Sequence, residues 1–278
     1  LDEAMRQMDT YSPGWRTTFW NKYYRQDLGE QLAFSVEEKA LLASLKAEDR
    51  VFTVLVNPDR VPYSYFVDGE AKGIIPEICA EISRRTGLVF KIIAKPNRAA
   101  YSAALRGKEA DICMDSYFDY DQAEQQGYRL TVPYLSMPLS QVSRKNLGHT
   151  PRSAALLKDT GCTALYQKLD PGIEKKYYSS VEDCMEAVIH GEVDAAYVYP
   201  YTAQHYLDEE QQVMLTATLM SQYTAAFAVG VADGLDPRMV TILNKAVASV
   251  AGNYTDQVIL EQAIAKKTQV SLVGLAYQ

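Results

Sequence analysis

The sequence predicts an α/β protein of two similar lobes: two mostly parallel sheets with flanking helices, joined by a two-strand hinge. Three observations predict it. A β-α-β-α-β series runs over residues 51–114, and a second one runs over residues 154–199. The remaining tail, one strand and two helices, is too little for a third domain. It is therefore expected to complete the first lobe, so the chain crosses between lobes near residues 139–143 and again near 221–227. The domain expectation is 1–50 as a helical N-terminal connector, 51–140 with 226–278 as lobe 1, and 141–225 as lobe 2.

Residues 1–35 stand apart, with both tryptophans (Trp15, Trp20) in an aromatic, basic stretch. Ser35-Val36-Glu37-Glu38 is a capping box opening a helix. Residues 51–56 are apolar and β-branched, which suits a buried strand. The segment 57–68 carries two prolines around Tyr63 and Tyr65 and is expected to be a loop. Gly73-Ile74-Ile75-Pro76 leads into a helix with Ile75, Ile78, Cys79 and Ile82 on one face and Gly87 at its end. A strand at 88–94, a helix at 98–105 and a strand at 110–114 close the first series.

The second series is a strand at 154–157, a helix at 162–169, a strand at 175–178, a helix at 180–189 and a strand at 194–199. Each series closes alike: Gly107-Lys108-Glu109-Ala110-Asp111 leads into one strand and Gly191-Glu192-Val193-Asp194 into the other. Helix–Gly–turn–Asp–strand is a common connection, but its recurrence at the same place in matching series favours two related lobes. Next come a strand at 223–231, a helix opened by Asp236-Pro237 and another from about Thr255 to Lys266.

Composition narrows the function. The 278 residues are 47% hydrophobic and 23% charged, with net charge −7, which is globular and unsuited to nucleic acid as the main partner. No apolar run approaches the roughly 20 residues that span a bilayer. The opening Leu1-Asp2-Glu3 lacks a leader pattern, as expected of a piece trimmed from a longer protein. Four cysteines and three histidines form no metal-ligand spacing, so no metal or cofactor is expected. A Cys162–Cys184 disulfide stays open. No histidine sits beside a nucleophile in a catalytic pattern and no glycine-rich phosphate loop is present, so no enzyme is expected.

Six pieces taken in order resemble the bacterial extracellular solute-binding proteins of the polar-amino-acid type and the flytrap-like sensor domains derived from them. They are Pro62-Tyr63-Ser64-Tyr65, Gly73-Ile74-Ile75-Pro76-Glu77-Ile78, Gly107 to Asp111, Thr131-Val132-Pro133-Tyr134, Gly191 to Ala195 and Ile242-Leu243-Asn244-Lys245-Ala246. The resemblance implies a periplasmic-binding-protein-like (type II) fold holding a small-molecule ligand between the lobes. Where the family carries an arginine for the ligand's carboxylate this chain has Ala123, and where it carries an aspartate for the ammonium this chain has Tyr199. Losing both charge partners removes the grip on a free amino acid.

The expected cleft is aromatic and neutral, suited to an aromatic or uncharged ligand, with Tyr63, Tyr65, Asp115, Ser116, Tyr117, Tyr120, Tyr199 and Tyr201 as candidates. Thr160, Gly161, Cys162 and Thr163, opening a helix in the second lobe, offer backbone N–H groups. With its N-terminal connector, the chain resembles the extracytoplasmic sensor module of a sensor kinase or diguanylate cyclase, membrane-tethered through regions outside this sequence and working by cleft closure. The alternative is the substrate-binding component of an ABC transporter for amino acids or related solutes.

Overall fold

The computed structural model describes residues 32–158, 163–167, 169, 171–207, 213–252 and 254–259. The aromatic stretch 15–24, Thr160, Gly161, Cys162 and the chain beyond 259 lie outside the described residues, so the Cys162–Cys184 pairing does too. Cys184 is a buried free thiol that burial pushes up to about 12.

Helix α1 (Val36–Ala47) opens on the expected capping box, with the Glu38 N–H donating to Ser35 Oγ and the Ser35 N–H donating to the Glu38 carboxylate. The first series is β1 (Val51–Leu55), β2 (Asp59–Arg60), β3 (Ser64–Val67), β4 (Glu70–Lys72), α2 (Ile74–Thr86), β5 (Val89–Ile93), α3 (Arg98–Arg106) and β6 (Ile112–Tyr117). Strands β2, β3 and β4 pair in a small antiparallel sheet where only a loop was expected. Helix α4 (Tyr120–Gln126) is a second addition, capped by Asp119, whose carboxylate accepts from the Gln122 N–H.

The long strand β7 (Tyr128–Arg144) leads to β8 (Ser153–Leu157), α5 (Thr163–Gln167), β9 (Glu174–Tyr178), α6 (Val181–Ile189), β10 (Ala195–Val198) and α7 (Pro200–Tyr206). A second long strand, β11 (Leu215–Ala232), returns to α8 (Arg238–Val250), after which 254–259 is helical.

The main sheet runs β5-β1-β6-β11-β7-β10-β8-β9. Its two ends are parallel sets, β5-β1-β6 and β10-β8-β9, as the two series predict. The antiparallel strands β7 and β11 pass through both, so hydrogen bonding is continuous from lobe to lobe. Their register shifts at three places, and the widest is at mid-length: Met220 faces Leu139, then Thr224 faces Pro138, leaving 221–223 as an insertion opposite the proline.

The two lobes share a fastening. The Asp111 N–H donates to Thr53 Oγ1 at 3.0 Å while its carboxylate accepts from the Thr53 N–H at 2.8 Å. In the second lobe the Asp194 N–H donates to Ser153 Oγ at 2.9 Å while its carboxylate accepts from the Arg152 N–H at 2.8 Å. The recurring Gly-to-Asp segment therefore ties the start of one parallel strand to its neighbour in both lobes.

Ile75, Ile78, Cys79 and Ile82 of α2 are buried, as their spacing predicts, and Ile74 is buried with them. The helix's first N–H groups donate to the preceding loop, Ile74 to the Pro62 carbonyl at 3.2 Å and Ile75 to the Tyr63 carbonyl at 2.8 Å. Gly73 makes this approach possible: its φ is +107°, and a Cβ there would stand 2.5 Å from the Pro62 carbonyl oxygen. Gly73→Ala combines a left-handed backbone with a backbone clash, so it is expected to cost about 3 kcal/mol in urea unfolding.

Candidate functional site

Strands of a parallel set present their carboxyl ends to a common crevice. Here the ends of β1, β5 and β6 face the ends of β8 and β10 across a cleft. Beyond β1, Asn57 fixes the chain's turn: its side-chain oxygen accepts from the Asp59 N–H at 3.0 Å, and its carbonyl accepts from Ser64 Oγ at 2.6 Å. That turn aims Arg60 inward. Its guanidinium lies 3.4 Å from the Asp115 carboxylate, with side-chain exposures of 10% and 0%.

Asp115 is held from three sides. It accepts from the Asn57 N–H at 3.0 Å and from Tyr101 Oη at 2.7 Å, and it faces Arg60. Burial, then the Asp115 charge, drive the Tyr101 phenol well above its usual range, so it stays a donor. The Arg60 guanidinium also sits over two rings, 5.0 Å from Phe227 of β11 and 5.7 Å from Tyr199 at the end of β10. Cation–π contact with a desolvated guanidinium is worth about 1–2 kcal/mol.

Arg98, the first residue of α3, is 7% exposed. One of its terminal nitrogens donates to the Asp59 carbonyl at 2.8 Å and to its carboxylate at 3.1 Å. From the second lobe, Thr202 Oγ1 of α7 donates to the Val61 carbonyl at 2.9 Å. Tyr63 packs edge-on against Tyr199 at 5.8 Å and Tyr201 at 6.2 Å. The lobes thus touch, and the space left between them is a cavity of about 20 Å³ lined by Asn57, Asp59, Arg60 and Arg98 on one side and Tyr199 and Thr202 among others on the opposite side. That is room for about one water.

Among the expected site residues, Tyr199 lines this cavity, while Asp115, Tyr63 and Tyr201 stand behind its walls. Tyr63 is fully buried; its phenol is pushed up by burial, and its hydroxyl makes no hydrogen bond of normal length among the described residues. Ser116 is buried on β6 and Tyr117 packs edge-on against Phe227. Tyr65 lies on β3 facing Lys72 and Asp59 in the small sheet. Tyr120 is 65% exposed and packs edge-on against Phe118 outside the cavity, because it starts the unexpected helix α4. Thr163 begins α5; Thr160, Gly161 and Cys162 lie outside the described residues.

The expectation of a neutral cleft is corrected. Ala123 is indeed a buried small residue of α4, packed near Leu130 and Ala228, but two guanidiniums enter the cleft from elsewhere. Arg60 arrives from the turn after β1 and Arg98 from the helix after β5. The signal that finds them is position: both follow the carboxyl end of a parallel strand.

A family model for bacterial extracellular solute-binding proteins, family 3, matches residues 52–266, and the chain belongs to this family. Its fold is shared with the periplasmic VFT2 domain of BvgS from Bordetella pertussis, at 23% identity over 83% of this chain and 99% of that one, with a TM-score of 0.69. The BvgS periplasmic domain matches at 22% identity, over 86% of this chain and 49% of that one, with a TM-score of 0.66. Holo ArgBP from T. maritima matches at 17% identity, over 80% of this chain and 99% of that one, with a TM-score of 0.58. No curated protein sequence matches. Among the described residues no helix is long and apolar enough to cross a membrane.

Two outcomes test the site's energetics. Asp115→Asn strands a buried guanidinium, so it is expected to lower unfolding stability by roughly 3–5 kcal/mol. Tyr63→Phe is expected to stay within about 1 kcal/mol of the parent, since it deletes a hydroxyl that contributes little. A large loss on Tyr63→Phe in denaturant titration would mean that the hydroxyl has a partner.

Proposed function

We propose that this chain is the extracytoplasmic small-molecule-binding sensor module of a bacterial membrane signalling protein and that it works by cleft closure. In this proposal 51–140 with 226–278 form lobe 1, 141–225 form lobe 2, and 1–50 form the connector. The observation that carries it is the interior of the cleft. The chain's own Arg60, braced on Asp115, meets Tyr199 of the opposite lobe and leaves room for about one water. A transport protein has to load and release a solute at each cycle, and a cleft filled by its own side chains serves that poorly. A sensor needs only two states of comparable free energy, because ligand shifts their balance by its differential affinity.

The connector supports the same function. Lys245 of α8 donates to the Glu38 carboxylate at 2.6 Å and to the Ala33 carbonyl at 3.0 Å, and Arg238 donates to the Glu37 carbonyl at 3.2 Å. Those bonds make α1 a rigid part of lobe 1, so a change in lobe position is carried to whatever precedes it. The shared fold of the VFT2 domain of BvgS agrees with a sensor, and that of ArgBP favours the alternative of an ABC transporter component.

Arg60→Ala separates the two. In small-angle scattering it is expected to increase the radius of gyration by about 1 Å over the ~19 Å of a compact chain this long. In the full-length protein it is expected to change basal signalling output with nothing added. A change confined to solute uptake would instead establish the transporter component.

A further inference from the structure

Resting on the cleft function proposed above, we infer that Arg98 is the receptor for a small organic monoanion, a monocarboxylate in chemical class, held between the lobes. The Arg98 side chain is 9% exposed and spends one terminal nitrogen on Asp59. Its Nε and its other terminal nitrogen are shielded from solvent and have no hydrogen-bond partner among the described residues. A buried cation with unmet donors is unfavourable until an acceptor arrives, and planar guanidinium donors suit an oxyanion.

The surroundings define that acceptor. Arg98 lines the inter-lobe cavity of about 20 Å³, whose opposite wall includes Val181, the first residue of the nine-residue helix α6. The positive end of that helix therefore faces the same space as the unmet guanidinium donors. The lining carries two guanidiniums, Arg60 and Arg98, and one carboxylate, Asp59. Arg60 is already paired with Asp115 and Arg98 shares one terminal nitrogen with Asp59, so two donors of a single guanidinium await an acceptor, which suits one carboxylate group. The lining carboxylate already holds Arg98, so no acceptor is left there for the ammonium of a zwitterionic amino acid. Leu157 and Val198 supply apolar wall for a short carbon body. The present cavity admits little more than a carboxylate group, so the body must displace Tyr199 or part the lobes.

The test is a thermal-shift titration of the 278-residue chain with sodium acetate, butyrate and benzoate against chloride at fixed ionic strength. Acetamide, butyramide and benzamide are the neutral controls and sulfate the dianion. Saturating carboxylate is expected to raise the melting temperature by about 5 °C, with no rise for the amides and a smaller one for sulfate. Arg98→Gln is expected to abolish the shift, and Arg98→Lys to weaken apparent affinity about tenfold. Asp59→Asn removes the negative charge beside Arg98, keeps the bond to the residue-59 carbonyl, and is expected to tighten affinity several-fold, which a merely destabilised cleft would not do.

Equal shifts with acids and amides, a larger shift with sulfate than with any carboxylate, no shift at all, or a shift untouched by Arg98→Gln would each overturn the assignment. The Arg60→Ala scattering experiment keeps the two proposals separate. If Arg60→Ala still changes closure while carboxylates do nothing, the ligand class falls and the sensor function stands. If neither responds, both fall.

Discussion

The ion pair between Arg60 and Asp115 is the constraint around which the cleft is built. Two opposite charges buried together lose several kcal/mol of hydration each, and the pair persists only if other groups complete its shell. Asn57, Tyr101, Phe227 and Tyr199 complete it. Three of these four belong to elements of the first lobe or to the long strand leading back to it. Tyr199 alone comes from the far side, so the first lobe holds the charges and the second supplies a ring that lands on them.

Much of the fold was legible in the sequence. Val51 to Leu55 and Ala195 to Val198 announced themselves as buried parallel strands by β-branched and small apolar runs, and Ser35, Ser180 and Gly87 marked helix ends through local chemistry that tertiary context did not override. The repeated Gly-to-Asp segment proved to be a repeated physical fastening. The small sheet of Asp59 to Lys72 was not legible, because two- and three-residue strands carry no periodicity to detect.

The site was legible only in outline. Searching downstream of Asp111 for an arginine arrives at Ala123 and stops, although the cleft holds cations that enter from two other strand ends. Arg60 and Arg98 are 38 positions apart and meet only because β1 and β5 are neighbours in the sheet. No linear spacing encodes that adjacency. Tyr120 shows the opposite failure: abundant tyrosine made an exposed helix start look like a cleft residue.

The insertion opposite Pro138 has a mechanical consequence. The ladder between β7 and β11 loses the most residues at 221–223, with smaller register shifts at 227/228 and 228/230. Proline offers no N–H at that spot, so little bonding is lost if the ribbon creases. A ribbon whose widest irregularity lies midway between two parallel sets creases there most readily, so each set turns largely as a plate. Any event at the crevice would then reach distant surfaces chiefly as a change of angle.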